Sequence, residues 1–98
     1  MSLVNILATI KFPEHKKDQA KQKLTDILQP SRDEAGNISY VLFEYKTQPN
    51  CFVFQEVWES EHAFEIHQKT AHFLSLLDYL KAHAESVDIQ QLHSIDTE

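Results

Sequence analysis

The chain has 98 residues, 42% hydrophobic and 24% charged, with a formal net charge of -6. That is enough for one domain with its own core, and the acidic balance argues against a nucleic-acid or anionic-membrane surface, both of which select clustered Lys and Arg. A single cysteine, Cys51, excludes an intramolecular disulfide, and no apolar run nears membrane-spanning length, so one cytoplasmic domain over residues 1–98 is expected.

Leu3 to Phe12 reads as a strand. Val4, Ile6, Ala8, Ile10 and Phe12 share one face, and Leu3, Asn5, Leu7, Thr9 and Lys11 the other,. Asn5 thus places an amide between two leucines, either as a functional group or as a strand residue satisfied by water. Pro13 stops the strand and suits a first helical turn. Glu14 to about Gln29 then carries Ala20, Leu24, Ile27 and Leu28 at helical spacing, with its lysines on the wet face,. Gly36-Asn37 is the expected stop, with Gly36, the only glycine, as a left-handed C-cap,.

Ile38 to Tyr45 reads as a second strand, with Ile38, Tyr40 and Leu42 opposite Val41, Phe43 and Tyr45. Both faces therefore want cover. Lys46 to Asn50 is a polar turn into a third strand, on which Phe52, Phe54, Glu56 and Trp58 point one way,. A second helix is expected from about Glu61 to His83, N-capped by Ser60, with a kink near Thr70-Ala71. His67 lies on its apolar stripe with Ala63, Phe64, Thr70, Ala71 and Leu74. That stripe implies a pocket between helix and sheet, or else a core histidine bonded to a backbone carbonyl. His72 falls about 140° further round an unbroken helix. A last strand follows at about Ser86 to Ile95, with a frayed tail over residues 96–98.

The order is β-α-β-β-α-β, an α+β, ferredoxin-like plan with helices over one face of a four-stranded antiparallel sheet. The other face keeps apolar groups on at least two strands, so a dimer packed sheet to sheet is expected.

Four pieces, in order, resemble the antibiotic biosynthesis monooxygenase family, including its quinol monooxygenases. They are the first strand with Asn5, the segment Glu34-Ala35-Gly36-Asn37-Ile38-Ser39-Tyr40, the strand end E-x-W-x-S from Glu56 to Ser60, and the helical H-x-x-T-x-H-F from His67 to Phe73. The resemblance covers nearly the whole chain. It implies a dimeric α/β barrel with a small pocket in each protomer. It further implies a reaction without flavin, haem or metal, in which a deprotonated quinol, phenol or anthrone reduces O2 directly. Carried over, His67 is the expected acid-base group, Asn5 orients the substrate, and His72 is a second candidate. Tyr40, Phe54, Glu56, Trp58, Phe73 and Leu74 are the expected substrate-binding residues, apolar walls with a few convergent polar groups. Glu56 has a plainer reading as a strut at the start of the second helix.

Other chemistries fit less well. His62, His67 and His72 recur at i+5 rather than the i+4 that aligns two metal ligands, so no metal site is expected. A haem-degrading relative would keep Asn5 but need a Trp near His67 and a His near Leu77. Cys51 and the histidines form no hydrolase signature. An isomerase of the autoinducer-processing branch shares the histidine motif, but a phosphorylated substrate needs nearby basic groups, and Arg32 is the only arginine. A non-enzymatic dimer binding an aromatic metabolite is the remaining alternative.

Overall fold

Alternation along the first strand sets the frame of the computed structural model, which describes residues 3–95. In β1 (Val4–Lys11), Val4, Ile6, Ala8 and Ile10 are all buried, whereas Asn5, Leu7 and Thr9 are half-exposed. β1 pairs antiparallel with β3 (Cys51–Trp58) on one side and with β4 (Ser86–Leu92) on the other, and β2 (Asn37–Glu44) pairs with β3. The sheet order is β2-β3-β1-β4, the α+β, ferredoxin-like arrangement expected from the element order. The register Ile6↔Glu56 and Tyr40↔Glu56 sets Ile6, Tyr40 and Glu56 side by side on the helix-covered face.

The first helical stretch is more broken than its periodicity suggests, though it continues as far as Arg32. A 3-10 turn at Glu14–Lys16 leads into α1 (Lys17–Thr25), and a separate turn forms α2 (Leu28–Arg32). Pro30 explains the interruption, because it has no N–H to donate back to the carbonyl of Asp26 but costs little in a first turn. Ala20, Leu24 and Ile27 still reach the core. Each large apolar side chain buried there contributes roughly 1.5–3 kcal/mol.

Gly36 is not a left-handed cap, since no described glycine has a positive φ. Its role is space. A Cβ at this position would collide with Cβ of Ala63, so the missing side chain lets the start of the next helix rest on the entry to β2. A backbone hydrogen bond from Glu59 N–H to the Gly36 carbonyl, 2.9 Å, closes the same approach.

The second helix is two helices rather than one kinked one: α3 (Glu61–His67) and α4 (Ala71–His83). Ser60 caps α3 by accepting from the Ala63 N–H, 3.1 Å. Thr70, extended at φ -72°, ψ 155°, caps α4 by accepting from the Phe73 N–H, and its hydroxyl donates to the His67 carbonyl at 2.7 Å. Ending one helix and starting the next on a single side chain redirects everything beyond Thr70.

β4 ends at Leu92 rather than near Ile95. Leu92 pairs with Asn5, one residue from the start of β1, so there is little strand left to pair with. Every residue of β4 is exposed, so the helices leave this strand uncovered. The expected tail, residues 96–98, lies outside the described residues. On the sheet face away from the helices, Phe43 is 50% and Leu92 48% exposed, beside half-exposed Leu7, Val41, Val53 and Val57.

Candidate active site

A cavity of about 50 Å3 lies between the sheet and α3 and α4. Ile6, Ala8 and Ile10 of β1 and Phe54 of β3 form its floor, and Phe64, Phe73, Leu76, Leu77 and Leu80 its roof. Val87 and Ile89 of β4 also line it and stand 42% and 51% exposed, so its mouth is at the uncovered strand. Among the described residues lining this cavity, the ionisable ones are Tyr40 and Glu56, and none is Lys or Arg.

Glu56 is a carboxyl set among hydrocarbon. It is 6% exposed, and its Oε1 accepts from the Trp58 indole N–H at 3.0 Å. The two residues share a face of β3, where each satisfies a group the other would otherwise bury unpaired. Burial raises the Glu56 pKa to about 7; the bond from Trp58 opposes this and the negative charge of Glu34 adds to it. Burial, with the Glu56 charge behind it, also pushes the Tyr40 phenol well above its ordinary value. Tyr40 therefore stays a neutral O–H, and Glu56 changes charge near neutral pH.

His67 sits one layer behind this cavity. It is 1% exposed, with its ring 4.4 Å from Trp58, 5.1 Å from Phe73 and 5.6 Å from Tyr40 between centroids. It is a core histidine, but its partner is a carboxylate rather than a backbone carbonyl: Nδ1 lies 2.7 Å from Glu34 Oε2. The same oxygen lies 2.6 Å from His72 Nε2. Burial lowers the His67 pKa, against the opposing pull of Glu34, so the ring is neutral and its Nδ1–H donates to the carboxylate. The helix break brings His72 here. On one continuous helix the i+5 spacing would hold the histidines apart; with the chain redirected at Thr70, their ring centroids are 5.9 Å apart.

The expected site residues thus divide. Tyr40, Phe54, Glu56 and Phe73 line the cavity, while Trp58, His67 and His72 form the layer behind it. Leu74 does not join them, because it is 48% exposed and faces away from the cavity wall. Asn5 lies on the opposite sheet face, in an open hollow with Leu7, Ser39, Gln55, Val57 and Leu92. Glu34, which joins the two histidines, carries no sequence signal of its own within the charged run Arg32-Asp33-Glu34. Its place in the segment before β2 was the available hint.

Comparison with known proteins agrees with this architecture. The profile of the family described as "Antibiotic biosynthesis monooxygenase" matches residues 3–79. The Bacillus subtilis protein named "Putative monooxygenase YcnE" is 37% identical over 71 residues, 72% of this chain and 75% of that protein. The crystal structure of PA3566 from Pseudomonas aeruginosa superposes with a TM-score of 0.91 at 29% identity, covering 97% of this chain and 96% of the other. Rv0793 from Mycobacterium tuberculosis shares the fold, with a TM-score of 0.91 at 23% identity over 98% of each chain. With a family profile spanning most of its length, a relative 37% identical over 72% of it and its fold matched throughout, the chain belongs to the antibiotic biosynthesis monooxygenase family.

Proposed function

We propose that this protein oxidises a small quinol or phenol with O2, without an organic cofactor, and that Glu56 is the base that starts the reaction. The observation that supports this most is the cavity itself: apolar walls enclosing one carboxyl whose pKa is raised to about 7. A base poised near the working pH removes a phenolic proton most effectively. The neutral Tyr40 hydroxyl is a hydrogen-bond donor for the resulting oxyanion. The electron-rich anion then reduces O2. For a quinol, one oxygen atom enters a ring C–H as hydroxyl while the other leaves as water. The two phenolic O–H groups become the quinone carbonyls, so the substrate supplies all four electrons. The substrate enters beside Val87 and Ile89, where the cavity opens at β4. A phosphorylated ketone finds no basic partner among the described residues of the wall.

In this reading His67 and His72 support the wall rather than touch the substrate, and Asn5 acts outside the cavity. The working form is a homodimer closed over the face that carries Asn5, Phe43 and Leu92.

Oxygen uptake with a panel of hydroquinones, dihydroxynaphthalenes and anthrones, against autoxidation without protein, tests the reaction. The expected result is uptake above baseline, with kcat/KM rising to a plateau above about pH 7 and falling by roughly 10²–10⁴-fold in Glu56→Gln. Uptake that never exceeds baseline while the aromatics bind would leave a binding module. Uptake unchanged in the variant would remove Glu56 from the mechanism.

A further inference from the structure

Glu34 precedes β2, His67 ends α3 and His72 opens α4. Their ligand-type atoms (Glu34 Oε2, His67 Nδ1 and His72 Nε2) lie within 4.8 Å of one another. Two imidazole N–H groups donating to one carboxylate oxygen account for only part of this cluster. Glu34 Oε1 and His67 Nε2 are also buried, and neither has a hydrogen-bond partner among the described residues. Unpartnered polar atoms in a core are costly, and Glu34 Oε1, on the carboxylate that both imidazoles already contact, points to a ligand that the hydrogen bonds do not represent,.

We propose that Glu34, His67 and His72 bind a divalent first-row transition ion, through the Glu34 carboxylate, His67 Nδ1 and His72 Nε2. The donor set selects the ion class. Two imidazoles and one carboxylate suit Zn, Co, Ni or Cu, whereas Mg and Ca prefer all-oxygen shells. The 4.8 Å limit on their separations bounds the adjustment such an ion needs. Ligands about 2.0–2.2 Å from a tetrahedral ion stand roughly 3.4 Å apart. The carboxylate oxygen, now 2.7 Å and 2.6 Å from the two nitrogens, has to withdraw by less than about 1 Å. A turn of the carboxyl achieves that and brings the unpartnered Oε1 toward the ion. Each neutral imidazole carries its proton on the nitrogen that is not bound.

Three protein ligands leave one position open on a tetrahedral ion, and the surface supplies access. Glu34 lines a hollow with His62 and Thr70, and His72, 24% exposed, lines another with Asp26 and Ser75. The aromatic cavity is on the far side of Tyr40, Phe64 and Phe73. The ion therefore clamps the helix break to the start of β2, and its binding does not depend on the oxidation chemistry proposed above.

The test is a Co2+ titration of the full-length protein after dialysis against a chelator, followed by d–d absorption and by scanning calorimetry, with no substrate present. One Co2+ should bind per chain at micromolar concentration, raise Tm, and leave when Zn2+ is added. His72→Ala and Glu34→Gln should each weaken binding at least tenfold, whereas His15→Ala, an exposed histidine in the 3-10 turn, should leave it unaltered. His72→Gln keeps an amide donor toward Glu34 and so preserves the fold; it too should lose the ion. No d–d bands at millimolar Co2+, wild-type affinity in His72→Gln, or loss of binding in His15→Ala would each overturn the site.

Discussion

At the scale of single residues, the burial of Glu56 sets stability against ionisation. Its folded pKa, about 7, lies above the ordinary carboxyl value of 4.5, so the native state holds this proton more tightly than the unfolded chain. Stability from this group is therefore greatest at acid pH and is lost as pH rises through about 7. Glu56→Gln keeps an oxygen for the Trp58 N–H but never has to ionise. Its stability relative to wild type should accordingly grow between pH 5 and pH 8, by roughly 2–3 kcal/mol. Urea unfolding at the two pH values measures this, and a pH-independent difference would show that burial does not strain the carboxylate. Tyr40, Phe54, Glu56 and Trp58 were legible in sequence because strand alternation places them without knowledge of any neighbour. The same alternation puts Asn5 opposite Val4 and Ile6, and the structure keeps it there. Glu34 was not legible. Which of Arg32, Asp33 and Glu34 turns inward depends on where α3 and α4 come to lie.

At the scale of elements, two close approaches position the site. Thr70 ends the influence of α3 and begins α4, which is why the spacing of His67 and His72 misleads when read on one helix. A kink near Thr70-Ala71 could be expected from sequence, but its size rests on cap geometry that spacing does not encode. The second approach is Gly36 against Ala63. Here the sequence signal, a lone glycine after a helix, had two physical meanings, and packing rather than backbone handedness is the operative one. Gly36→Ala should destabilise the fold by about 1–3 kcal/mol through overpacking. Adding Ala63→Gly should restore most of the packing, less a helix cost of about 0.5–1 kcal/mol. Thermal denaturation of the two single variants and the double variant measures the coupling. Strict additivity would mean that the two positions do not compete for the same space.

At the scale of the whole molecule, the helices leave one sheet face bare. Phe43, Leu92, Val41, Val53 and Val57 form an apolar surface with the Asn5 amide among them. Two copies packed across it would bury what one copy exposes. Sedimentation at micromolar concentration should give twice the 11.4 kDa chain mass. Phe43→Glu, exposed in the single chain, should return the mass to one chain while leaving the far-UV spectrum intact. A wild-type protein that sediments as one chain would rule the dimer out. Alternation in β2 and β3 made this face readable from sequence, whereas the bareness of β4 was not, because helix length and tilt decide how far cover extends.

That uncovered strand also changes what occupancy means. Val87 and Ile89 point toward the helix layer, yet they stand 42% and 51% exposed beneath it. In the function proposed above, an aromatic guest seated against Leu77 and Ile89 extends the roof over β4, so that lodging the guest and finishing the hydrophobic core become a single event. Affinity is then partly a measure of how loosely β4 is held, and the strand should exchange its amide hydrogens more slowly when the guest is present.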